Sequence, residues 1–335
     1  MPFVEVRDSF MGNKRVTLIG GNGYVGGSMS AYLKRKDITL STPRSCEYDA
    51  NRPSELRRLV EDTKPDIIIN CAEHTGKPNV DACESQKAEC IQGNVLMPHQ
   101  IREIAREKGI VFGQVSSGCI FTGRRDDGGG FREIDPPNFS FRHNNCSFYS
   151  GTKAMGEEVL GYQATPQADG SLHWENSSPD CFVWRLRIPF AGQDSPRNYL
   201  SKVMNYPTLL EAENSLSRLE DFASACWQTI ESGAPLGLYN VTNPGAITTS
   251  EVTEIIKKVG HDTEKKTGIN PFPQEFDFFD DEAQFLSSVA VAARSNCVLD
   301  TSKLQSLGIQ LPGIRDAITD CLKDWIPQSL ASAVK

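Results

Sequence analysis

The stretch RVTLIGGNGYVGG, residues 15–27, leaves few folds open to this chain. A β-rich apolar run ends in glycines at 20, 23 and 26, and a helix-forming segment opens directly behind them. The first glycine allows a tight turn, the second lets backbone approach a pyrophosphate, and the third lets helix and strand pack closely. The helix N-terminus adds free N–H groups and the positive end of its dipole. The stretch therefore predicts the opening turn of a dinucleotide-binding sheet, with Gly20, Asn22, Gly23, Tyr24, Val25 and Gly26 around the phosphates.

The chain that follows agrees with this reading. RVTLIG, DITL, DIIIN, IVFGQV and CFVWRLRI are short apolar runs, separated by helix-length segments to Lys36, from Ser54 to Glu61, from Lys87 to Lys108 and after Tyr149. Strands alternating with helices predict an α/β fold with a Rossmann-type, doubly wound parallel sheet, and runs that are apolar throughout predict strands covered on both faces. Later helices are expected at Leu219–Ser232, Thr249–Val259 and Ile314–Trp325, with a short strand LYNV between the first two. Residues 13–190 read as the NADP(H)-binding domain, with later segments returning to it, and 191–330 mainly as a smaller substrate-binding lobe. The Gly-rich polar stretch TGRRDDGGGFREIDPPNFS reads as a long loop, of the kind that often serves as a lid or binding loop. A polar insertion near 164–180 reads as surface decoration.

Composition narrows the chemistry. With 35 basic against 43 acidic residues and a net charge of −8, the chain offers no phosphate-tracking surface for nucleic acid. No run approaches the roughly 18 apolar residues of a membrane span, and the first ten residues lack a signal-peptide core. Ten cysteines without a CxxC pair and five histidines without ligand spacing fit reduced thiols rather than disulfides or a metal, so the chain reads as cytoplasmic.

About 20 residues beyond Gly20, where NAD binders place an acid for the ribose 2′-hydroxyl, the chain reads LSTPRS. Arg44, helped by Ser41 or Thr42, suits a 2′-phosphate, which favours NADPH and leaves NADH as the alternative. Asp49 is a candidate for the adenine amino group, and Ala72 lies where the third strand meets the cofactor. In FYSGTKAMGEE, Tyr149 and Lys153 are four apart on one helix face. A cation one turn from a phenol favours phenolate and lowers its pKa, so Tyr149 is the expected proton donor to a carbonyl oxygen, with Lys153 also holding the nicotinamide ribose.

The GxxGxxG spacing resembles the extended short-chain dehydrogenases. In that class a Ser or Thr ending the fourth strand bonds the substrate carbonyl, which Ser117 in SSGCIF matches, and an Asn supports the lysine through water, which Asn94 matches. CAEHTGKPNVDACES, SSGCIF, GGFREIDPPNFS, FYSGTKAMGEE, SPRNYLSK, YNVTNPGAIT and RSNCVLDTSKL, between about Val16 and Leu304, resemble the nucleotide-rhamnose branch. The likeness is to dTDP-4-dehydrorhamnose reductases in outline, and most closely to bifunctional UDP-4-keto-6-deoxyglucose 3,5-epimerase/4-reductases that make UDP-L-rhamnose.

The resemblance implies NADPH-dependent reduction of a nucleotide-sugar, a separate 4,6-dehydratase supplying the keto-sugar, and a homodimer. Single-activity reductases typically carry Tyr at the position of Cys119. The bifunctional family has a cysteine there and a lysine matching Lys202, both implicated in epimerisation. Inverting C3 and C5, which flank the C4 ketone, needs two acid/base groups besides Tyr149. Arg197 and Asn198, then Thr75 and Asn79, and more weakly Arg294, are the implied substrate contacts. The family usually has Lys where this chain has Gly151. Two alternatives remain open from sequence: a non-catalytic NADP-binding regulatory subunit, and a single-activity dTDP-4-dehydrorhamnose reductase.

Overall fold

Each apolar run becomes a strand, because its alternate side chains find a helix on either face. The structure, a computed structural model, describes residues 13–77 and 79–327. In chain order the strands are β1 (Lys14–Ile19), β2 (Ile38–Ser41), β3 (Ile67–Asn70), β4 (Val111–Ser117), β5 (Gln163–Pro166), β6 (Leu172–Glu175), β7 (Phe182–Leu186), β8 (Pro189–Phe190), β9 (Glu213–Asn214), β10 (Ser217–Arg218), β11 (Gly237–Asn240) and β12 (Ile247–Thr248). The helices are α1 (Tyr24–Leu33), α2 (Pro53–Thr63), α3 (Lys87–Ile91), α4 (Met97–Lys108), α5 (Phe148–Glu158), α6 (Tyr199–Asn205), α7 (Leu219–Glu231), α8 (Thr249–Thr267), α9 (Glu282–Ser288), α10 (Ser302–Ser306) and α11 (Ile314–Lys323). Six strands make one sheet in the order β11-β7-β4-β3-β1-β2, every pairing parallel.

The two faces divide the core. Val16, Leu18, Ile67, Ile69 and Trp184 pack with Met29 and Leu33 of α1 and Phe222 and Ile230 of α7. Ile19, Ile68, Phe112 and Val183 turn the other way, onto Leu56 and Leu59 of α2 and Ile101 and Ile104 of α4. The run Ile67-Ile68-Ile69 thus feeds both cores, which is what burial on both faces demands. A third core gathers Phe190, Leu200, Ile256 and Ile318 from the C-terminal part of the chain.

Three expectations are corrected. The helix expected across Lys87–Lys108 is interrupted by a π-turn at Gln92–Leu96, which widens the helix around Asn94; such turns concentrate at functional sites. The polar loop after β4 is no lid: Gly123 N donates to Asn296 O at 2.6 Å, Phe131 N to Val298 O at 2.8 Å, and Asp300 N returns to Phe131 O at 2.8 Å. The 296–300 segment thus fastens the loop down at Gly123 and Phe131. The insertion near 164–180 folds as the β5–β6 hairpin and buries Trp174, whose Nε1 donates to Glu157 at 3.1 Å.

No described helix is long and apolar enough to cross a membrane.

Candidate active site

A continuous cleft of about 1460 Å³ opens at the carboxyl ends of β1, β3 and β4, where ligands bind in doubly wound sheets. Its floor is the glycine turn. Gly20 takes φ +78°, and its carbonyl accepts from Gly23 N at 2.9 Å. A Cβ on Gly26 would lie 2.1 Å from that carbonyl, so helix and strand approach as closely as the sequence predicts. α1 begins with no side-chain cap and no acid in its first turn. Its first N–H groups are therefore left for an anion, and these residues fit a pyrophosphate. Gly20, Asn22, Gly23, Tyr24, Val25, Asp49 and Ala72 line the cleft.

Gly23 has φ −76°, which alanine tolerates, and a Cβ there meets only Gly20 O at 3.2 Å. Gly23→Ala is expected to leave the fold intact and weaken NADPH roughly tenfold, about 1.4 kcal/mol, in a fluorescence titration, because its methyl sits where the phosphates approach.

Arg44 is placed differently from expectation. Its guanidinium is not free but paired with Glu47, at 2.9 and 2.6 Å. Both partners are largely exposed, so water screens the pair and a phosphate displaces the carboxylate at little cost. Asp49 is turned onto its own loop, accepting from Asn51 N at 3.0 Å and Asn51 Nδ2 at 3.1 Å.

Ser117 closes β4 and caps a short 3-10 turn, Gly118–Ile120; its Oγ accepts from Cys119 N at 3.2 Å. The hydroxyl also lies within hydrogen-bond reach of the Cys119 thiol. α5 is capped by Ser147 and presents Tyr149 and Lys153 beside Ser117. The two do not simply pair with each other. Glu73, on the loop after β3, accepts from Tyr149 Oη at 3.1 Å and from Lys153 Nζ at 3.0 Å. Tyr149 is accordingly pushed well above the usual phenol range, first by burial and then by the Glu73 charge. This corrects the expectation that Lys153 lowers it.

Asn94 does not touch Lys153 directly. Its side chain accepts from His74 N at 2.8 Å and donates to His74 O at 3.0 Å and Thr152 Oγ1 at 3.1 Å. A void of about 10 Å³ shared by Asn94 and Lys153 is at the lower limit for one bridging water.

Cys119 lies buried on the same wall. Burial pushes its thiol up, against the lowering influence of Ser117, Lys153 and Arg187, so it keeps its proton. Lys202, on α6, lines the same cleft, and no carboxylate pairs with it among the described residues. Burial, then the neighbouring charges of Arg197 and Arg294, hold its ammonium below the usual lysine range.

The substrate candidates divide. Thr75, Asn79, Arg197 and Arg294 line the cleft. Arg294 makes a two-pronged ion pair with Asp81, at 2.7 and 2.6 Å, which ties the segment after α9 to the turn Val80–Glu84. Asn198 is corrected: its Nδ2 donates to Ala191 O and Gln193 O, both at 2.7 Å, and its Oδ1 caps α6 by accepting from Leu200 N at 3.1 Å. With every polar group used, Asn198 aims the helix bearing Lys202 and has nothing to offer a sugar. Gly151 is packed beneath Phe141, whose ring lies 2.3 Å from where a Cβ would be. A lysine there would require the Phe141 ring, itself 40% exposed, to move aside.

Sequence reasoning missed Glu73 and Arg187. Arg187 is buried in the cleft wall and bonded to Asn214 at 2.6 Å; two arginines in the otherwise apolar CFVWRLRI were the available signal. It also missed the convergence of His74, Cys83 and Cys90, whose ligand atoms lie within 4.8 Å of one another.

Comparison with known proteins places the chain in a family and supports its fold. A family model described as the RmlD substrate binding domain matches residues 14–168. A bifunctional dTDP-4-dehydrorhamnose 3,5-epimerase/dTDP-4-dehydrorhamnose reductase of Arabidopsis thaliana is 31% identical over 309 residues, 90% of each chain. The chain belongs to the dTDP-4-dehydrorhamnose reductase family. A reductase of this family is an enzyme with a Rossmann-type sheet that takes a nucleotide-sugar and a nicotinamide cofactor, and the cleft has the two halves such a pair requires. A trifunctional UDP-glucose 4,6-dehydratase/UDP-4-keto-6-deoxy-D-glucose 3,5-epimerase/UDP-4-keto-L-rhamnose-reductase of the same plant is 30% identical; the match covers 90% of this reductase but only 40% of that longer protein. Among solved structures, the L780 UDP-rhamnose synthase of Acanthamoeba polyphaga mimivirus shares the fold with TM-score 0.78 at 23% identity, covering 93% of this chain and 100% of that one.

Proposed function

We propose that this chain inverts C3 and C5 of UDP-4-keto-6-deoxyglucose and then reduces its C4 ketone with NADPH, giving UDP-L-rhamnose. The observation that carries the reading is the presence of Cys119 and Lys202 in the same cleft as Ser117 and Tyr149, with Lys153 one turn along α5 and joined to Tyr149 through Glu73. The choice of UDP follows the resemblance borne by the seven motifs, as does the supply of keto-sugar by a separate 4,6-dehydratase.

Ser117 and Tyr149 hold the C4 oxygen by hydrogen bonds, which stabilises the enolate formed when a neighbouring carbon loses its proton. Inversion removes a proton from one face and returns one to the other, so it needs a base and an acid together. Lys202, lowered, has more of the free amine and serves as base; Cys119, raised, carries the proton and serves as acid. The glycine turn would hold NADPH, with Lys153 at its ribose and Arg44 at its 2′-phosphate, and the cofactor would supply hydride to C4. Tyr149 gives its proton to the C4 oxygen.

Incubation with UDP-4-keto-6-deoxyglucose and NADPH in deuterium oxide tests this by NMR. The expected product is UDP-L-rhamnose carrying deuterium at C3 and C5. Cys119→Ala and Lys202→Met should each slow label entry by about 10²-fold or more while NADPH still binds. Turnover of only the already epimerised sugar reduces the chain to a single-activity reductase, and NADPH binding without turnover makes it a regulatory subunit. A dTDP-sugar run in parallel decides the nucleotide.

A further inference from the structure

A tyrosine and lysine one turn apart make a base, because the ammonium favours phenolate. Reduction needs the opposite, a tyrosine that still carries its proton when hydride arrives. The structure adds a carboxylate to this pair: one oxygen of Glu73 gathers Tyr149 Oη at 3.1 Å and Lys153 Nζ at 3.0 Å. The lysine is 4% exposed and, among the described residues, has no other polar partner closer than Val115 O at 3.4 Å.

The position of Glu73 is built into the fold. The next residue, His74, has both backbone groups held by Asn94, and Asn94 is bonded to Thr152 of α5, the helix that carries Tyr149 and Lys153. On its other side Ala72 N donates to Asn70 Oδ1 at 3.0 Å. Loop and helix are therefore fastened at one level, and the Glu73 side chain, 28% exposed, spans the remaining gap. The titratable groups facing Tyr149 are Glu73 from the loop after β3, Lys153 from its own helix, Cys119 from the end of β4, and Cys83 from the turn Val80–Glu84. Of these, only Glu73 brings a full negative charge, set against the cation of Lys153.

We propose that Glu73 is a positioning residue that keeps Tyr149 protonated, so that the site carries its reductive proton across the neutral and alkaline range. This rests on the reading of Tyr149 as proton donor. In the step, hydride brings one hydrogen and two electrons to the ketone carbon, the Tyr149 O–H bond breaks, and its proton joins the ketone oxygen. The cofactor is oxidised and the ketone reduced. The phenolate left behind is repelled by Glu73 and takes a proton from water in the open cleft.

Glu73→Gln keeps the size and an acceptor oxygen but removes the charge; Glu73→Ala removes both. Two readouts apply, made on the full chain. The first is the pH profile of kcat/KM for keto-sugar reduction, whose alkaline fall-off is expected to move down by about one unit or more in Glu73→Gln, with activity retained at neutral pH. The second is the ultraviolet phenolate titration of each protein minus that of its Tyr149→Phe counterpart, which needs no turnover and is expected to move in the same direction. Glu73→Ala should shift both at least as far. An unchanged fall-off and an unchanged titration overturn the inference, as does loss of activity at every pH with the titration unmoved. If the wild type reduces no keto-sugar but the titration moves, the functional reading fails and the role of Glu73 in holding the proton stands.

Discussion

Tyr149→Phe is expected to cut keto-sugar reduction by about 10²–10⁴-fold, the usual contribution of a positioned general acid, and to leave NADPH binding in place. The ring packs against the small core of Cys119, Ile120, Phe121, Phe131 and Leu299, so phenylalanine preserves the wall and removes only the hydroxyl. Ser117 still offers its proton to the C4 oxygen, which leaves a residual rate. The deuterium label separates the two activities: entry at C3 and C5 should continue in this variant, slowed by the loss of one enolate-stabilising donor, because Cys119 and Lys202 are untouched. Stopped-flow NADPH oxidation and NMR of the recovered sugar read the two halves independently. Reduction at the wild-type rate would remove Tyr149 from the mechanism.

Glu157→Ala is expected to cost about 3–5 kcal/mol in urea unfolding, the range for breaking a buried ion pair by removing one partner. Glu157 and Arg185 have side chains 1% and 0% exposed, joined by bonds of 2.8 and 2.6 Å. Ser116 Oγ and Trp174 Nε1 also donate to this carboxylate, at 2.9 and 3.1 Å. Removing it strands a guanidinium among apolar groups, stacked over Phe121 at 5.1 Å. Against a typical total of about 5–15 kcal/mol, that loss is large. Glu157→Leu combined with Arg185→Met should recover part of it, since the stranded guanidinium is gone while Ser116 Oγ and Trp174 Nε1 lose their acceptor and the buried Glu133 loses a neighbouring cation; a double variant as unstable as the single one would assign the effect to those groups and to packing.

What was legible in the sequence depended on how local the physics is. The glycine turn could be read because each glycine answers a steric demand of its own neighbourhood, and Tyr149 with Lys153 because helical periodicity alone sets them on one face. Arg44 was half legible: Glu47, three residues on, was visible as its partner and was not weighed. Glu73 was not legible, since CAEHT reads as an ordinary strand end until α5, some 80 residues later, is laid across it. Asn198 failed the other way. In SPRNY it has the polarity of a sugar ligand, but the chain turns back on itself there and spends every polar atom on its own backbone. Trp174 was overlooked inside the polar insertion because the buried carboxylate that receives it lies on another element.

The order of the central sheet also governs where the chain can be divided. β4 is flanked on one side by β3 and on the other by β7, which in turn holds β11, and both outer strands come after residue 168. A cut there would strip two strands from the sheet and lay bare the long apolar margin of β4, a template for pairing with a second molecule. It would also release residues 123 and 131 from the segment that anchors them. The segment that the family model matches is thus not an excisable unit, and a fusion, tag or split version is better joined at an exposed loop such as Gly268–Ile269 than near the middle of the chain.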